Sequence, residues 1–227
     1  MHVTIGWCSE FRPRWGARAL LHANRPPSLF VHELAECLTR AGTPAAASLV
    51  TDENLGERVM QSNAINGMAQ SDIVFLSSHG RVSQGLYRFR LRQGEWTPIQ
   101  NFDPASPPIL VLDTCDVVEA SCQVRAAGWL SPDRQSPALV LGFVEAASDG
   151  YHASTRGTAF ARNLAYGLTF ANAWINAVRD TDPSHKDCPI AIAFGESEPA
   201  AQQTLDFASL TNMPSSTVAT ACRWKTI

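Results

Sequence analysis

The chain has 227 residues, of which 45% are apolar and 17% charged, and its net charge is -3. That is enough apolar material to bury a full core, as one larger domain or two small ones. No Pro/Ser/Gly-rich linker separates balanced halves, so a single domain over 1–227 is expected. The small net charge and the lack of a Lys/Arg cluster on any helix face argue against a nucleic-acid partner. No apolar run reaches membrane-span length, and residues 1–7 lack the basic segment and long apolar stretch of a signal peptide. The expectation is a soluble cytoplasmic protein without a membrane partner. The six cysteines are scattered, with neither a CxxC pair nor metal-ligand spacing, so no metal site is expected and most read as small buried hydrophobes.

In chain order, residues 2–8 read as a first strand, and an irregular Arg/Pro/Trp-containing stretch runs to Pro27. Ser28 reads as the N-cap of a helix over 29–40, stopped by Gly42. A short strand follows over Ala46–Val50, then a helix over 54–68 with Leu55, Val59 and Met60 apolar. Residues 72–76 form an apolar run that ends in Ser77-Ser78-His79-Gly80. The alternating Leu86-Tyr87-Arg88-Phe89-Arg90-Leu91 then suits an exposed hairpin or flap. A second apolar run, Ile109-Leu110-Val111-Leu112, ends in Asp113-Thr114-Cys115, and a helix is expected over 117–127. Strands over 138–143 and 189–194 bracket a helical region that opens at Ser154 or Thr155 and contains Phe160, Leu164, Ala171, Trp174 and Val178. Alternating strands and helices argue for an α/β fold of three layers, with a mainly parallel central sheet flanked by helices.

The two apolar runs are the informative feature. As neighbouring parallel strands they would deliver an imidazole and a thiol to one sheet edge, the place where open α/β folds put their chemistry. Cys115 is then a nucleophile, with its thiol expected to be acidified by His79 and by the first amides of the following helix. His79 serves as base for the thiol and acid for the leaving amine. The N–H groups of Gly80 and Cys115 are candidates for an oxyanion hole, since Gly80 has no Cβ to obstruct a substrate carbonyl. Taken singly, a strand-end His is commonly a solvated residue and a Cys in an apolar strand is commonly core.

Ser78-His79-Gly80 and Asp113-Thr114-Cys115 resemble the His-Gly and x-Ala-Cys signatures of the caspase-haemoglobinase clan of cysteine peptidases. Residues 139–149, in which Gly142 is followed seven residues later by Asp149, resemble a stretch of its CHAT-domain proteases. Gly157 to Leu164 and Ala171 to Trp174 resemble their terminal helices. A closer resemblance is to a bacterial domain family of unknown function that carries Gly-His-Gly, Leu-Asp-x-Cys and a Leu-Gly-Phe strand. The resemblance covers 71–179. It implies a caspase-like fold and makes Asp113, two residues before the nucleophile, and Asp149 the carboxylates that bind a basic P1 side chain, with Glu145 nearby as a further substrate-binding residue. Asp113 also reads as a cap on the helix after Cys115 or as an acceptor for loop amides, as an Asp at a strand exit commonly is.

The reading is a cysteine-dependent peptide hydrolase, an endopeptidase or peptide amidase that acts on a peptide or protein substrate and needs no cofactor. Acyl transfer or cyclisation of a peptide is a variant of the same chemistry. The alternatives are a non-catalytic module that keeps the fold, and a Cys/His enzyme acting on a small molecule.

Overall fold

The computed structural model describes residues 1–8, 23–41, 46–50, 71–84, 86–90, 96–98, 106–117, 130, 135–148, 151–182, 184 and 186–226. The strands are β1 (His2–Trp7), β2 (Ala46–Val50), β3 (Ile73–Ser77), β4 (Gly80–Ser83), β5 (Leu86–Arg90), β6 (Trp96–Pro98), β7 (Ile109–Asp113), β8 (Gln135–Ser136), β9 (Leu139–Val144), β10 (Cys188–Gly195), β11 (Thr217–Val218) and β12 (Ala221–Thr226). The helices are α1 (Arg25–Arg40), α2 (Arg156–Ala165), α3 (Phe170–Thr181) and α4 (Glu198–Phe207).

Seven strands form the main sheet in the order β12-β10-β9-β7-β3-β1-β2. The five from β9 to β2 pair in parallel, while β10 runs antiparallel to both β9 and β12. Continuous apolar runs suit this position, because a strand covered on both faces has no polar side. All five residues of β3 are buried. Alternate residues of one strand enter different cores: Ile73 and Phe75 on one face, Val74 and Leu76 on the other. The fold is therefore α/β, with a central, mainly parallel sheet and helices packed against it.

All four described helices contribute to the first core. Phe30 of α1 lies 5.4 Å from Phe75 and 5.1 Å from Phe160 of α2, ring centre to ring centre. Trp174 of α3 packs edge-on against Phe143 and Phe160, and its indole N–H donates to the Gly142 carbonyl at 3.0 Å. This is the usual requirement of a buried indole. The space that a Cβ on Gly157 would occupy lies 1.8 Å from the Pro26 carbonyl oxygen, so α1 and α2 touch through backbone at that point. The second core takes Tyr87 and Phe89 from β5, together with Val117, Ala219 and Cys222.

Several boundaries differ from the sequence reading. α1 begins at Arg25, a turn earlier than expected, with Pro26 and Pro27 in its first turn, where a missing N–H leaves no bond unmade. Ser28 is consequently inside the helix. The helical region over 155–178 is two helices, broken where Gly167 takes φ +87° and restarted where Thr169 Oγ1 accepts from the Asn172 N–H. The flap is a three-stranded antiparallel sheet, β4-β5-β6. The expected helices over 54–68 and 117–127 lie outside the described residues, except Val117.

Candidate active site

The register of the sheet places the two reactive residues. Ser77 pairs with Asp113 at the carboxyl ends of β3 and β7, and His79 and Cys115 each follow two residues later. Both are half-buried. Between them the backbones are in contact: a Cβ at Gly80 would lie 2.2 Å from the Cys115 carbonyl oxygen and 2.8 Å from Thr114 Oγ1. Only glycine fits there, which gives His-Gly a local physical reason. The Arg90 N–H donates to the His79 carbonyl at 2.9 Å, making these two a hydrogen-bonded pair of the β4–β5 ladder. The next pair, Gly80 with Phe89, is then of the non-hydrogen-bonded type, so the Gly80 N–H turns away from β5. The flap is pinned to this corner by a short hydrogen bond between the Tyr87 hydroxyl and Thr114 Oγ1. Burial pushes the Tyr87 phenol well above its ordinary value, so it stays protonated.

The sulfur of Cys115 meets the loop that follows β9. The Ala147 N–H donates to Sγ at 3.3 Å. Two residues near this contact take left-handed backbone, Asp116 with φ 52° and Glu145 with φ 67°, and the Asp116 N–H donates to the Glu145 carbonyl at 2.6 Å. Such conformations are strained for residues with a Cβ. The Val117 N–H is likewise taken by the Phe143 carbonyl at 2.9 Å. The first two amides after Cys115 therefore bond β9 and its exit, where the sequence had them facing the sulfur. Burial pushes the thiol above its ordinary value; the Ala147 N–H draws it back, and Asp116, Asp113 and Asp187 push it further up. The shift is upward, where the sequence reading expects an acidified thiol.

Behind the sulfur stands an ionic cluster that the sequence reading did not find. Arg156, at the start of α2, is fully buried, pairs with Asp113 through Nη1, and reaches Asp187 Oδ2 through Nη2 at 2.7 Å. Its guanidinium lies 4.6 Å from the centre of the Phe143 ring. The other oxygen of Asp187 accepts from the Ser148 N–H at 2.9 Å and from Ser148 Oγ at 2.7 Å. Asp187's own N–H donates to Asp182 at 2.8 Å. Burial works to raise the Asp182 carboxyl, but hydrogen bonds from Ser184, Asp187 and Lys186 hold it at about 2. No motif marks Arg156; the one available signal was a cation among small residues at the start of an apolar helix.

Of the proposed pocket acids, Asp113 sits beside Cys115 but its carboxylate is engaged by Arg156 and, at 3.4 Å, by Ser77 Oγ. Glu145 is exposed, and its carbonyl takes the Asp116 N–H. Asp149 and Cys122 lie outside the described residues. A cavity of about 590 Å³ opens on the same sheet edge, lined by Val144, Arg179, Asp182, Asp187, Cys188 and Pro189 among others. It shares Asp187 with the cluster and is lined by neither Cys115 nor His79. Among the described residues no group of three or more His, Cys, Asp or Glu could hold a metal ion, and no helix is long and apolar enough to cross a membrane.

No curated protein matches the chain. Solved structures similar to it include pro-Sf-caspase-1, with TM-score 0.42 and 10% identity over 82% of this chain and 84% of that one. Caspase-1 from Spodoptera frugiperda gives TM-score 0.41 and 11% identity over 99% and 85%. The Drosophila initiator caspase Dronc gives 0.43 and 10% over 82% and 74%. The family model described as Domain of unknown function (DUF6345) matches residues 52–213, a span that holds His79, Gly80, Cys115, Arg156 and Asp187, and the chain belongs to that family.

Proposed function

We propose that the protein is a cysteine-dependent peptide hydrolase in which Cys115 is the nucleophile and His79 the general acid and base. The observation that carries this reading is the equal displacement of the two residues beyond the paired ends Ser77 and Asp113, with Gly80 in backbone contact with Cys115. The same chemistry is implied by the resemblance to CHAT-domain proteases. Because the resting thiol is protonated, His79 removes its proton as the sulfur bonds to the substrate carbonyl carbon. The N–H groups of Gly80 and Cys115 receive the oxyanion. When the C–N bond breaks, His79 returns the proton to the departing amine, and water then hydrolyses the thioester.

The acids divide their roles in this proposal. Asp113 serves Arg156, leaving Glu145 and Asp149 to meet a basic P1 side chain. One observation favours the second reading, a non-catalytic module: burial and three neighbouring carboxylates hold the thiol neutral. Turnover of a peptide-amide panel varied at P1, with Cys115→Ala and His79→Ala beside the parent, separates the two. Cleavage lost in both variants supports the hydrolase. A folded parent that cleaves nothing supports the module.

A further inference from the structure

We propose that Arg156 is the positioning residue of the thiol: by holding Asp113 and Asp187 at once, it fixes both flanks of Cys115, the strand exit before it and the Ala147 amide that faces its sulfur. The inference rests on the reading of Cys115 as the nucleophile.

Two short paths lead from the guanidinium to the sulfur. Through Nη1 it holds Asp113, the last residue of β7, two positions before Cys115. Through Nη2 it holds Asp187, whose other oxygen takes both the N–H and the hydroxyl of Ser148, and the next residue back is Ala147, the donor to Sγ. Residues from β7, the β9 exit, α2 and the segment before β10 thus converge on one planar cation. A guanidinium does this with two N–H groups in a rigid fork, which an ammonium cannot reproduce.

Packing alone would not call for this side chain. A fully buried ion triad is commonly no more stable than well-packed apolar residues of the same volume, and the buried Arg156 Nε has no hydrogen-bond partner, a further destabilising feature. What an aliphatic chain could not supply is the fixed position of Ser148 and a positive charge between two carboxylates that bear on the sulfur. The charged or titratable groups that bear on Cys115 are Asp113 of β7, Asp116 of the turn after it, Asp187 before β10 and Tyr87 of β5; His79 follows the paired end of β3 by two residues, as Cys115 follows that of β7. Arg156 is the cation bonded to two of those carboxylates. Removing it leaves both uncompensated and frees the loop that presents the Ala147 N–H; each change disfavours the thiolate.

The test is the rate of iodoacetamide alkylation of Cys115 against pH in the full chain, followed on the Cys115 peptide by mass spectrometry, with unfolding melts as a folding control. Arg156→Met should move the midpoint upward and slow alkylation at neutral pH by about tenfold, the effect of one pK unit on the thiolate fraction. Arg156→Lys, with charge but no fork, should fall between Met and the parent. Ser148→Ala removes the hydroxyl that donates to Asp187, leaves the Ser148 N–H bond in place, and should slow alkylation in the same direction by about twofold. A folded Arg156→Met with the parent's midpoint would overturn the proposal. If Arg156→Met does not fold, parental profiles for both Arg156→Lys and Ser148→Ala would do the same. Alkylation needs no substrate, so the two failures are distinct: a parent that cleaves no peptide would remove the hydrolase reading on which this inference rests, whereas a folded Arg156→Met with the parent's alkylation midpoint would remove this inference alone.

Discussion

At the amino ends of β1 and β3, His2, Thr4, Ser71 and Asp72 gather into one cluster, while His79, Thr114, Cys115 and Asp113 gather at the carboxyl ends of β3 and β7. The two sets hold similar chemistry: an imidazole, a hydroxyl and a carboxylate. In the first, Ser71 Oγ bonds His2 Nδ1 at 2.9 Å and Thr4 Oγ1 at 2.7 Å. Asp72 accepts from the His2 N–H at 2.7 Å, and its own N–H donates to the His2 carbonyl at 2.9 Å. These bonds close one strand onto its neighbour. In the second, Gly80 brings two backbones into contact, the ladder turns the Gly80 N–H away from β5, and two left-handed residues bend the exits around the sulfur. The side-chain inventories are alike; what sets the second cluster apart is backbone that leaves the Ala147 N–H facing a half-buried thiol.

The widest separation between the two clusters should come from deleting their reactive groups. Cys115→Ala and His79→Ala should bring peptide-amide turnover down by about a thousandfold, whereas His2→Ala and Ser71→Ala should leave kcat/KM within about twofold. Gly80→Ala tests the contact itself. Its Cβ would drive into the Cys115 carbonyl, so urea unfolding should show a loss of about 1–3 kcal/mol, with turnover lost as the corner shifts. Tyr87→Phe removes the bond to Thr114 and should lower stability by about 1 kcal/mol in the same assay.

Two pH limbs sharpen the comparison further. The folded Cys115 thiol titrates above its unfolded value, so its contribution to stability is complete below the ordinary thiol pKa of about 8.5 and is lost as pH rises through the raised one. Cys115→Ala should flatten the alkaline limb of the urea midpoint. Asp182 is the opposite case, held at about 2: its contribution is present above the ordinary carboxyl value and lost as pH falls toward about 2. Asp182→Asn should flatten the acid limb. Asp72→Asn, at the partly exposed cluster, should have the smallest effect, under about 1 kcal/mol and with unchanged turnover.

Short continuous apolar runs rich in Ile and Val suit a strand covered on both faces, and β3, β7, β9 and β10 were legible for that reason. His79 and Cys115 were legible as strand exits on the same argument. Helix boundaries were less so: Pro26 and Pro27 read as a stretch before a helix, yet their missing N–H groups suit its first turn equally well. The segment from Ser197 carried a signal that went unread, a Ser cap followed by Glu198 and Pro199, and it opens α4.

By itself the sequence determined the α/β class, the central strands and the delivery of a His and a Cys to strand ends, all of which follow from local hydrophobic pattern. Only the tertiary structure decided the ionisation and surroundings of the thiol. Asp113 faces Arg156 across 43 positions, and Arg156 faces Asp187 across 31. The amide that meets the sulfur, that of Ala147, lies 32 positions away in the chain. Electrostatic environment depends on through-space distance and solvent exclusion, and neither is written in the order of residues along a chain.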